Sequence, residues 1–217
     1  MAVDHETRTR APELARRSRL RRIFVGGTDG NEELTAITAV VLLALLAALG
    51  VTIIRVGSLL AEHMFIGMLL IGPVVLKMSS TGYRFVRYYT HEPRYVRKGP
   101  PELALRMIAP LVVLSTVAVF ATGVVLLVGG ESLRNPWGEI HKVCFFVWVG
   151  FMALHVLGHL PGLPASLRAT SRARLGERPW DDQGAGRGAR AVTLASSLVL
   201  GTALAIAVIP LFSAWHA

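Results

Sequence analysis

Five apolar runs constrain this chain more than any other feature: Leu34–Ile54, Leu59–Leu76, Met107–Val128, Val143–Leu160 and Ala191–Phe212. About 18–20 apolar residues are enough for a helix to cross the ~30 Å hydrocarbon core of a bilayer. Inside lipid every backbone N–H and C=O must find its partner within the protein, which leaves helices or closed barrels. None of the five runs alternates as a barrel strand does, so helices are predicted throughout. With 53% hydrophobic and only 17% charged residues, the chain has too little polar surface for a soluble domain. The expected fold is an all-α integral membrane protein, a bundle of about five transmembrane helices.

Charge placement then orients the bundle. Of 23 Lys and Arg, all but Arg55, Arg134 and Lys142 fall in three alternate segments: before the first run, between Lys77 and Arg106, and between Arg168 and Arg190. By the positive-inside rule these segments are cytoplasmic, which puts the N-terminus inside and the C-terminus outside. The protein is thus expected to be multi-pass in the cytoplasmic membrane, with the basic loops near anionic headgroups. The net charge of +9 therefore reads as a topology signal and not as a nucleic-acid footprint. Cys144 is the single cysteine, so disulfides and cysteine-based metal sites are excluded.

Punctuation divides the chain into a basic N-terminal segment (1–33), a four-helix bundle (34–160), a basic Gly-rich linker (161–190) and a fifth helix with an outer tail (191–217). The stretch 26–30 reads as a turn, Gly57-Ser58 as another, and Gly72-Pro73 as a kink in the second helix. The segment 82–101 mixes four tyrosines and Phe85 with arginines and reads as a loop carrying an interfacial aromatic belt. A partner-docking surface or the rim of a quinone pocket is its sharper alternative. Asn135 and Pro136 suit the N-cap and first position of the fourth helix. Ser197 and Gly201 are spaced for close helix packing.

The stretch Pro136–Pro161 organises the functional reading, because it carries His141, His155 and His159. Fourteen helical residues rise roughly 21 Å and return to within about 40° of the starting direction, so His141 and His155 mark opposite ends of one face. His159 extends it by a turn. The second run carries His63, with Gly67 four residues on and Lys77 fourteen residues on. The second and fourth helices run in the same direction, so His63 and His141 are expected at one membrane level, near the outer face. Two neutral imidazoles on facing helices are what six-coordinate haem iron requires, the porphyrin supplying the other four nitrogens. Gly67 would let a flat ring lie against its helix. Zinc would need three or four protein ligands, and only Glu62 and Glu139 stand near these histidines.

This pattern resembles the membrane cytochrome b subunits of bacterial respiratory enzymes, the group that includes bacterial cytochrome b561 and the b subunits of hydrogenase and formate dehydrogenase. The resemblance rests on His63, Gly67, His141, His155 and His159 and covers about Leu34 to Leu160. It implies haem b, held by His63 and His141 and with less support by His155, and electron transfer between a quinone pool and a redox partner protein. Two-haem members pair histidines at both levels; here Lys77 stands where a second histidine of the second helix would be. One haem is expected, and a second would need His155 or His159 with Lys77, Met78 or no partner. Arg55, Arg134 or Lys142 would meet haem propionates. The chain reads as the electron-transfer subunit of an oxidoreductase more than as a free-standing enzyme. The competing reading is a cofactor-free membrane scaffold or small transporter component; against transport stands the absence of an obvious internal repeat.

Overall fold

The structure, a computed structural model, describes residues 27–97, 99, 103–159 and 187–215. The expectations on the N-terminal segment up to residue 26 and on the linker between 160 and 186 lie outside them. Among the described residues every regular element is helical. They are α1 (Gly27–Ile54), α2 (Leu60–Tyr89), the short α3 (Pro93–Arg97), α4 (Leu103–Gly129), α5 (Arg134–His159) and α6 (Arg187–Ala207), with 3₁₀ turns at Gly130–Leu133 and Ile209–Trp215. Four stretches are long and apolar enough to cross a membrane: Asn31–Ile54, Leu60–Tyr89, Leu105–Gly158 and Gly188–Ala207. The third contains both α4 and α5. Val40 at 66%, Phe146 at 70% and Leu200 at 68% exposure show large apolar side chains turned outward on three of these helices. Contiguous apolar surface of that kind suits lipid and not water.

Two antiparallel hairpins and one covering helix make the bundle. α1 pairs with α2, α4 pairs with α5, α2 meets α4 between the hairpins, and α6 lies along α2. α2, and not the histidine-rich α5, is therefore the central helix. Its partners need it small on one side: a Cβ on Gly72 would strike the Ser197 carbonyl, and one on Gly201 would strike the Leu69 carbonyl. Only glycine permits that approach, as the spacing of Ser197 and Gly201 predicts. Met68, Leu127, Ala205 and Phe212 form the buried core where α2, α4 and the end of α6 converge, with Met64, Phe65 and Val124 packed on it.

Several boundaries differ from the sequence expectation, each for a local reason. α1 begins at Gly27, so the expected turn at 26–30 is helical from its second residue. Asn31 donates from Nδ2 to the Ser80 carbonyl (3.1 Å), and this tertiary anchor outweighs the weak helix propensity of Gly27 and Gly30. α2 runs unbroken through Pro73 and on to Tyr89, well past the expected end at Leu76. Pairs four residues apart carry the helix into the expected loop. Arg87 donates from Nε to the Tyr83 hydroxyl (3.1 Å), and the Phe85 and Tyr89 rings lie 4.4 Å apart. The last helix stops at Ala207 and not at Phe212, because Pro210 has no N–H to continue it and the chain tightens to 3₁₀. Asn135 is extended (φ −112°, ψ 124°), so the continuous part of α5 starts at Pro136, as its capping residues predict. Gly130 closes α4 with φ +61°, the left-handed conformation of a helix C-terminal glycine.

Candidate functional site

The hairpins place His63 one turn into α2, beside the end of α1, and His141 in the second turn of the continuous part of α5, beside the last turns of α4. Both rings are partly buried. Thr52 on α1 lies 3.0 Å from His63 Nδ1, and Thr122 on α4 lies 2.9 Å from His141 Nδ1. These two threonines are the residues that sequence reasoning passed over. Each is a hydroxyl isolated within an apolar run of the helix antiparallel to its histidine, and that was the available signal.

Assigning each hydroxyl proton to the carbonyls of its own helix sets which imidazole nitrogen carries hydrogen. Thr52 Oγ1 donates to the Leu49 carbonyl (2.6 Å), and Thr122 Oγ1 donates to the carbonyls of Ala118 and Val119 (2.9 and 3.0 Å). A hydroxyl has one proton and two lone pairs, so toward the imidazole each threonine is an acceptor. Nδ1 of both histidines is then the N–H donor, and Nε2 of both carries the lone pair. Two neutral imidazoles on different hairpins thus present the nitrogen that binds metal, each oriented by a partner on the other nitrogen.

His63 and His141 lie within electrostatic reach of each other, although α2 and α5 are not among the closely packed helix pairs. Gly67, half-buried one turn after His63, has open space where a Cβ would stand. On the other side the His141 ring lies over Gly123 of α4, where a Cβ would come within 3.2 Å of Cε1. Two imidazole donors with open space at Gly67 form a donor set that fits a flat, metal-centred group. A metal ion with three or four protein ligands does not fit: among the described residues no group of three His, Cys, Asp or Glu side chains gathers. Glu62 is exposed, and Glu139 is turned outward onto Lys142 (2.7 Å).

The remaining expected residues fall as follows. His155 is half-buried on the same face of α5, which reads His141, Cys144, Phe145, Trp148, Phe151, Met152, His155 along its partly buried positions. Trp148 is fixed between the two histidines by donating from Nε1 to Thr116 Oγ1 (3.0 Å). His159 is the last residue of α5, and its side chain lies outside the described residues. Lys77 turns to α1, donating from Nζ to the Thr35 carbonyl (2.8 Å) within a polar set that includes Asn31 and Ser80. Arg134 pairs with Glu131 (3.1 Å) and lies over the Trp215 ring, while Arg55 is exposed at the α1–α2 turn. Tyr83, Tyr88, Tyr89 and Tyr95 cluster with Phe85, Arg87 and Arg106 at the far end of α2. Exposed His91, in the turn after α2, joins no histidine site. The arrangement defines a helical protein of membrane-crossing dimensions with a paired-histidine site between two hairpins. Compared with known protein families, characterised proteins and solved structures, the chain matches none.

Proposed function

We propose that this protein is a membrane-embedded b-type cytochrome, an electron-transfer subunit that passes electrons between a quinone pool and a redox partner protein. The observation that carries the reading is the pair of imidazoles on opposing hairpins, each with Nδ1 within hydrogen-bond distance of a threonine hydroxyl, which leaves Nε2 for ligation. His63 and His141 would hold haem b, with Gly67 giving the ring room against α2 and Gly123 letting the His141 imidazole lie against α4. When bound, the haem supplies reversible one-electron chemistry at its iron. The chain's own residues supply the axial nitrogens, their orientation and an apolar surround that excludes water. The topology proposed with it has five crossings, α4 and α5 each making one, with the N-terminus cytoplasmic, the C-terminus outside and the histidine pair near the outer face. Residence in the cytoplasmic membrane follows from the placement of the basic segments.

Absorption spectra of the protein purified after expression with ample haem, oxidised and dithionite-reduced, test the reading. A Soret band with about one haem per chain is expected, lost in His63→Ala and in His141→Ala. No Soret band and no pyridine haemochrome would overturn it, as would both variants keeping the full spectrum; a cofactor-free scaffold predicts the first.

A further inference from the structure

We infer that Thr52 and Thr122 are positioning residues: their hydroxyls fix the tautomer of His63 and His141 and thereby set how strongly Nε2 donates and the reduction potential of the iron it would hold. The inference rests on the haem reading for its second half only. Threonine inside a helix commonly bonds a carbonyl three or four residues back, and usually that bond has no further consequence. Here it has one. With the hydroxyl proton committed to Leu49 in α1, and to Ala118 and Val119 in α4, each oxygen accepts only, and each faces an imidazole Nδ1. At His141 the Val119 backbone carbonyl is a second acceptor for the ring N–H and favours the same tautomer, and in a partly buried site the preference is less diluted than in water.

The consequence is chemical. An acceptor on Nδ1–H raises the basicity of Nε2, which favours the more highly charged ferric state over the ferrous. The potential of a haem is adjustable through such hydrogen bonds to its axial ligands. Both threonines act in the same sense, so removing either moves the potential upward and removing both moves it further. Valine copies the shape of threonine and deletes the acceptor. It also frees the imidazole to carry its proton on Nε2, a form that cannot ligate, so haem is retained less tightly.

The experiment has two arms. In the first, nitrogen-15 spectra of the histidines in cofactor-free wild-type protein read the tautomer directly, and no variant is needed. His63 and His141 are expected as Nδ1–H tautomers, and Nε2–H in both would overturn the inference. In the second, redox titration of the haem-loaded wild type is compared with Thr52→Val, Thr122→Val and the matching serine variants. The valine variants are expected to shift the midpoint upward, by up to about tenfold in the oxidised-to-reduced ratio at fixed potential, or 59 mV for one electron. They are also expected to lose haem roughly 10–100-fold more readily, with serine restoring both. Wild-type potentials and retention in both valine variants would overturn the inference while leaving the haem reading intact. A wild type that binds no haem would overturn the haem reading, and the first arm would still decide whether the hydroxyls set the tautomer.

Discussion

Replacing Gly72 with alanine tests how α6 is seated on the helix that carries His63. A Cβ there would lie 3.0 Å from the Gly201 nitrogen and 3.1 Å from the Ser197 carbonyl carbon, and closer still to the Ser197 oxygen. All three are backbone atoms, so no side chain can rotate away. The two helices must separate, by on the order of 1 Å before ordinary carbon contact distances are restored, and a gap of that size forfeits up to about half of the dispersion along the seam. Overpacking of this kind costs about 1–3 kcal/mol. Alanine also gains about 1 kcal/mol of helix propensity over glycine, which partly offsets the clash. Gly50 isolates that gain, because a Cβ at this position of α1 meets nothing within 4 Å. Gly50→Ala should therefore be neutral or stabilising, with Gly72→Ala less stable than it by the full 1–3 kcal/mol. Gly201 stands in the same crossing, its Cβ position 3.5 Å from the Gly72 nitrogen. Once one alanine has parted the helices, the second adds little, so the double variant should fall well short of the sum. Equilibrium unfolding in mixed detergent micelles measures all four variants. Equal stability of Gly72→Ala and Gly50→Ala, or strict additivity of Gly72 and Gly201, would refute the seam.

Two further predictions separate the ends of α2. Gly67→Leu fills the open space one turn after His63 and should abolish the haem spectrum while leaving helicity and micelle stability near wild type; an unchanged Soret band would show that the ring lies elsewhere. Lys77→Met removes one hydrogen bond to the Thr35 carbonyl and should cost about 0.5–1.5 kcal/mol by micelle unfolding, with the haem spectrum and ratio unchanged. A spectral shift in that variant would place Lys77 at the iron.

Much of the fold was legible because apolar run length alone specifies a crossing helix. What was not legible lies where a few specific contacts extend or stop a helix. Tyr83 with Arg87 and Phe85 with Tyr89 turn what composition reads as an aromatic loop into two more turns of α2. Asn31 reaching Ser80, 49 residues away in sequence, does the same for the start of α1. At the site, the expectation that His63 and His141 share one level comes from counting residues along helices that run the same way. Their threonine partners do not, since Thr52 and Thr122 lie 11 and 19 residues from their histidines on different helices. Pairing them needs the register of each hairpin, which length and hydropathy leave open. Thr38 and Thr116 are also hydroxyls within apolar runs, and neither faces an imidazole.

The two ends of the α1–α2 hairpin show why one haem is better supported than two. Each end brings a threonine of α1 to a polar side chain of α2: Thr52 to His63, and Thr35 to Lys77. The bonds differ in kind. At the first end the threonine hydroxyl accepts from Nδ1 and leaves the imidazole a second nitrogen with a lone pair. At the second, the Thr35 carbonyl accepts from the lysine Nζ, which as an ammonium has three donors and no lone pair for a metal. To ligate iron, Lys77 would have to lose its proton and abandon the Thr35 carbonyl. On α5, Trp148, fixed to Thr116, occupies the face between His141 and His155. The haem ratio therefore discriminates sharply. A value near one leaves the Lys77 contact in place, whereas a value near two requires the hairpin to open at its Lys77 end, and Lys77→Met would then lower the ratio.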